Sequence, residues 1–214
     1  MSRSPVRRPR RSLLTLAAIG VLALGVSSCI SLLPKTKPSH LYRFGQPHGS
    51  AAVTAQPGQI GVYRTNASFQ RESAGDRLVT LSNGQVQYIA ETRWVAPAAV
   101  LWDEAVLAAF DADSGPVRLI SRGEPASAQY ILRLDVRNFE ARYDHGPKAP
   151  PTVVVRVRGA LTKGDRSVAA ERIFEKQVTA ADNKVSAIVP AYDKAVAGVL
   201  DEVVAWTTDQ VKGG

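Results

Sequence analysis

The chain has 214 residues, 45% of them hydrophobic and 21% charged, with a formal net charge of +8 and one cysteine. That is enough apolar material for a globular domain with a real core, and it is not the composition of a disordered chain. Arg3, Arg7, Arg8, Arg10 and Arg11 supply five of the eight charges, so the rest carries only +3 and no basic stripe of the kind that binds nucleic acid, and a lone cysteine excludes an intrachain disulfide.

Those arginines open a leader. Leu13 to Val26 follows as 14 uncharged residues. A helix that crosses a bilayer needs about 20 apolar residues, whereas a basic start and a short apolar run make a secretion signal. Arg10-Arg11 weakly resembles a twin-arginine signal, and either export route ends outside the cytoplasm. Val26-Ser27-Ser28 before Cys29 resembles the lipobox at which signal peptidase II cuts. Cys29 is therefore the expected first mature residue, with a diacylglyceryl thioether on its thiol and an acyl chain on its amine. Membrane affinity grows by about 0.8 kcal/mol per buried CH₂, so several chains on one residue make a durable anchor. Ile30 to His40 contains Pro34 and Pro38 and reads as an extended tether. The expected order is a signal peptide over 1–28, a lipidated tether over 29–40 and one domain over 41–214.

Within the domain, Leu41 to Phe44 is a short strand, Gln46 to Gly58 a loop and Gln59 to Arg64 a strand. Thr65 to Asp76 is polar and reads as a flexible loop. Asn83-Gly84 between Leu78–Ser82 and Gln85–Ile89 predicts a hairpin, because both turn positions of a type I′ turn need positive φ. Pro97 opens a helix to about Ala112, with apolar residues at three- and four-residue steps. Val117 to Ile120 is a strand. Gln129 to Tyr143 alternates, with Tyr130, Leu132, Leu134 and Val136 on one face. Thr152 to Leu161 and Ser167 to Val178 are strands around Gly164-Asp165. Ser186 to Val211 is a helix whose stripe runs through Ile188, Tyr192, Val196, Val199, Val203 and Trp206. Pro190 belongs in its first turn or else kinks it. Four short strands, a helix, four strands and a helix give an α+β class: a mixed, mainly antiparallel sheet with two helices packed on it.

Little in the pattern points to chemistry. His40, His48 and His145 have no metal-ligand spacing. No nucleophile elbow or phosphate loop occurs. The carboxylates Asp103, Glu104, Asp135, Glu140, Asp201 and Glu202 read as solvated faces and ion pairs rather than a glycosidase pair. No catalytic residue, metal or cofactor is assigned. Tyr88, Trp94 and Tyr143 near strand ends are either partner contacts or core, and Arg93 beside Trp94 is a rim contact or a snorkelling charge. Tyr88, Arg93 and Trp94 are thus the candidate partner-binding residues.

Taken together, several strings carry a resemblance: Cys29-Ile30-Ser31-Leu32-Leu33-Pro34, Leu41-Tyr42-Arg43-Phe44, Gln87 to Trp94, and Leu134-Asp135-Val136-Arg137-Asn138-Phe139-Glu140, closed by a Trp-containing helix. The layout resembles the ABC-type transport auxiliary lipoproteins, the PqiC-like group. The resemblance implies a non-catalytic subunit that docks the periplasmic assembly of an MCE-domain protein, a lipid carrier served by an ABC transporter, to a membrane. Asp after the lipidated cysteine is the usual inner-membrane retention signal; Ile30 stands there, which favours the periplasm-facing leaflet of the outer membrane. An envelope assembly factor or a lipoprotein hydrolase is the alternative.

Overall fold

A computed structural model describes residues 38–45, 58–120, 123–124 and 126–213. The leader, Cys29, the tether to residue 37 and the expected loop over 46–57 lie outside these residues.

Nine strands and two helices are present among the described residues: β1 (His40–Tyr42), β2 (Ile60–Arg64), β3 (Ser68–Phe69), β4 (Arg77–Ser82), β5 (Gln85–Trp94), α1 (Ala98–Ala112), β6 (Val117–Ile120), β7 (Tyr130–Arg142), β8 (Thr152–Lys163), β9 (Val168–Thr179) and α2 (Val185–Lys212). The strands form one mixed sheet, so the α+β class holds. Long antiparallel ladders join β7 to β8 and β8 to β9. On its other side β7 is paired in pieces, with β2, β3 and β4 each running parallel to a different stretch of it.

Both helices cover one face. The alternation of β7 sends Tyr130, Leu132, Leu134 and Val136 to that face, as the period-2 pattern requires. A bulge then inserts Arg137: Val136 pairs with Val157, and Asn138 with Arg156. Parity flips there, so Phe139 and Ala141 point into the core while Asp135 and Glu140 both lie on the face turned away from the helices. Phe139 stands 5.0 Å from Phe44 and 5.0 Å from Tyr192, ring centre to ring centre. Trp94 completes that cluster, edge-on to Phe44 at 5.0 Å and to Tyr192 at 5.2 Å.

Three local expectations change. The segment Thr65–Asp76 is not only loop. Ser68–Phe69 pairs with Asp135–Val136, and Phe69 packs edge-on to Trp102 at 6.2 Å. One aromatic ring is enough to dock an otherwise polar segment. β5 continues past Ile89 to Trp94, through Glu91 at φ 56°. Pro190 is the sixth residue of α2 rather than part of its first turn. Its missing N–H would have met the Ser186 carbonyl; Pro190 and Ser186 are both exposed, so water reaches that side of the helix. The Asn83-Gly84 turn forms as expected, with φ 48° and 76°.

Candidate interaction surface

The Leu78–Trp94 region builds the candidate site from the turn outward. Below the Asn83-Gly84 turn, Leu81 pairs with Val86 and Val79 with Tyr88. The ladder then jumps, and the next pair is Arg77 with Arg93. The extra residues of β5 bulge out around Glu91, where the strand passes through φ 56°.

β1 covers only the end of that far edge, where His40, Leu41 and Tyr42 run parallel to Thr92, Arg93 and Trp94. The Tyr42 carbonyl accepts the Val95 N–H at 2.8 Å. In a parallel ladder every second residue turns its N–H to the same neighbour, so the next donor before His40 would be residue 38. That residue is proline and has no N–H, which ends the ladder. Among the described residues, no strand pairs with the outer edge of Gln85–Ala90.

This edge is chemically unlike the β9 edge. β9 closes the opposite side of the sheet and carries Glu171, Arg172, Glu175 and Lys176, the charges that discourage strand-to-strand association. Gln85–Ala90 carries no charge. Val86 is 51% exposed and Tyr88 41% exposed. The Arg77 guanidinium stacks 5.0 Å from the Tyr88 ring centre, and the Tyr88 hydroxyl donates to the Glu72 carbonyl at 3.4 Å. Arg93 pairs with Asp76 at 2.6 Å and stays partly exposed.

The structure therefore separates the three candidate residues. Tyr88 and Arg93 are on the surface. Trp94 is 2% exposed and belongs to the aromatic core, so its ring is not the exposed aromatic that a partner contact needs. Tyr143 donates to Asn183 Oδ1 at 2.8 Å, and burial raises its phenol pKa. Of the histidines, His40 and His145 are exposed and His48 lies outside the described residues. Among the described residues, no three His, Cys, Asp or Glu side chains gather as a metal site would require.

The carboxylates are held by arginines. Asp103 pairs with Arg64 and Glu104 with Arg43. Glu140 accepts from Arg142 at 2.8 Å, from Asn138 at 3.0 Å and from the Phe139 N–H at 2.8 Å. Sequence patterning did not place Asp135 and Glu140 on one face, because the bulge that aligns them leaves no periodic signal. No helix of the described residues is long and apolar enough to cross a membrane.

Comparison with known proteins adds three findings. No curated protein matches the chain. The family model for the ABC-type transport auxiliary lipoprotein component matches residues 44–204. Among solved structures, the chain is similar to a Xanthomonas campestris protein of the DUF330 family, at 23% identity and a TM-score of 0.67 over 81% of this chain and 98% of that one. It is also similar to an uncharacterized protein at 13% identity and a TM-score of 0.61, over 80% of this chain and 99% of that one. At these identities the two structures share the fold.

Proposed function

The chain belongs to the ABC-type transport auxiliary lipoprotein family, and on that premise we propose that it is a non-catalytic, lipid-anchored subunit that docks the MCE-domain protein of an ABC transport system to the outer membrane. Residues 1–28 are the cleaved signal, Cys29 carries the acyl chains, residues 29–40 are the tether and the domain from Leu41 on meets the partner. The anchor faces the periplasm.

One observation carries the docking half of the proposal: the uncharged outer edge of Gln85–Ala90, with Val86 and Tyr88 exposed beside it, against a β9 edge studded with charge. An edge with no strand on it among the described residues invites a partner's extended segment, which gains main-chain hydrogen bonds there while Val86 and Tyr88 supply side-chain contacts. Tyr88 and Arg93 are the assigned contact residues, with Trp94 supporting them from the core. The buried carboxylates Asp135 and Glu140 each lie against arginine, which suits an ion-paired sheet face better than the acid–base pair of a hydrolase.

The test is capture of the lipidated protein from detergent-solubilised envelopes, with mass spectrometry of its mature N-terminus. The expected result is an acylated Cys29 and a co-purified MCE-domain protein, with the partner lost from Tyr88→Lys. An unmodified Cys29 sinks the anchor, and a clean capture without an MCE-domain protein sinks the docking role.

A further inference from the structure

We infer that the hollow beside the β7 bulge is a binding site for a phosphate-class oxyanion, held between Arg133 and Arg137. The site lies on the face turned away from the helices, goes beyond the docking role and does not rest on it.

The hollow measures about 250 Å³ and is lined by Ser68, Phe69 and Gln70 from the β3 segment and by Arg133, Asp135 and Arg137 from β7. One lining group is the Asp135 carboxylate, which is only 7% exposed. Three guanidinium groups converge on it. Arg133 Nε donates to Oδ1 at 3.0 Å, while Arg137 Nη2 and Arg158 Nη1 each stand 3.6 Å from Oδ2. Arg158 has an acid of its own, Glu171 at 2.6 Å. Arg133 and Arg137 share Asp135, so two cations face one anion.

That imbalance is local and directional. Each guanidinium has five N–H donors. Asp135 engages one nitrogen of Arg133 and one of Arg137, and the two side chains are 61% and 54% exposed. Because each meets a different oxygen of the same carboxylate, both are held within reach of a single ligand. Ser68 and Gln70, from the β3 segment beside β7, add a hydroxyl and an amide to the lining. The lining thus offers donors from both strands, and its one anion is already engaged. A carboxylate ligand is satisfied by the fork of one arginine. An oxyanion with oxygens on several sides takes donors from both arginines and relieves their mutual repulsion.

Arg133, Asp135 and Arg137 share this face by the ordinary alternation of β7, and the bulge at Arg137 interrupts the ladder beside them. Bulges of this kind re-aim side chains next to functional positions. The same chemistry is offered by free phosphate and by a phospholipid headgroup.

Calorimetric titration of the full-length mature protein in neutral detergent at low ionic strength tests the site, with inorganic phosphate and glycerol 3-phosphate as probes. Saturable binding is expected. Arg133→Gln and Arg137→Gln should each weaken it by about tenfold or more. Arg156→Gln, on the same face but paired with Glu175, should change it by less than about twofold. Tighter binding of glycerol 3-phosphate assigns the site to a lipid headgroup, and equal binding assigns it to free phosphate; both support it. Heats that never saturate, or an equal loss in all three variants with unchanged circular dichroism, would overturn it.

Discussion

Tyr192 on α2 donates its hydroxyl to the Val79 carbonyl on β4, 3.1 Å away, with its ring fully buried between helix and sheet. The bond ties the C-terminal helix to the strand that begins the hairpin. Tyr192→Phe leaves a buried carbonyl without its donor and should cost about 1–2 kcal/mol, read as a lower urea midpoint at neutral pH.

The same hydroxyl sets a pH dependence. Burial, then the charges of Glu140 and Tyr143, push the Tyr192 phenol well above its ordinary value of 10.0. The unfolded chain therefore releases this proton first as the pH rises. The contribution to stability is intact below about pH 10 and is lost progressively above it. The urea midpoint should fall through that range, and Tyr192→Phe should flatten the fall. An unchanged slope would show that other groups cause it.

Gly159 lies where β8 passes under α2. A Cβ there would sit 2.8 Å from Phe174 Cε2 and 3.3 Å from Trp206 Cζ3. Those two rings already pack edge-on at 5.4 Å. Gly159→Ala should destabilise the domain by about 1–3 kcal/mol through overpacking, seen as a lower Tm.

The two neighbouring aromatics of β5 should behave oppositely. Trp94→Ala empties the centre of the Phe44–Phe139–Tyr192 cluster and should cost about 3–5 kcal/mol. Tyr88→Ala removes an exposed ring and should change stability by no more than about 0.5 kcal/mol. Urea denaturation of both variants distinguishes a core residue from a surface one. A large loss for Tyr88→Ala would mean that its ring holds the β3–β4 segment, through Arg77 and Glu72, and is not free for a partner.

These positions also show what the residues disclosed before folding. The hairpin was legible because Asn83-Gly84 specifies its own turn. The first half of β7 was legible because Tyr130 to Val136 alternates without a break. Beyond the Arg137 bulge, alternation predicts the wrong face for Glu140, so the placement of Asp135 and Glu140 on one face, with the four arginines that pair with them, stayed hidden. Trp94 was undecidable for a similar reason: Glu91 in the left-handed region interrupts the count from Tyr88. β3 has two residues and no period to read. Its docking depends on Trp102 and Phe139, which are remote in sequence.

Position 88 gives the most direct test of the docking role. A photo-crosslinking amino acid in place of Tyr88, in the lipidated protein in intact cells, should form an adduct with an MCE-domain protein. The same group in place of Ile173, which is 52% exposed on the opposite edge, should not. An adduct from position 88 alone is the expected result. No adduct there, or equal adducts from both positions, would contradict the assignment of the β5 edge as the docking strand.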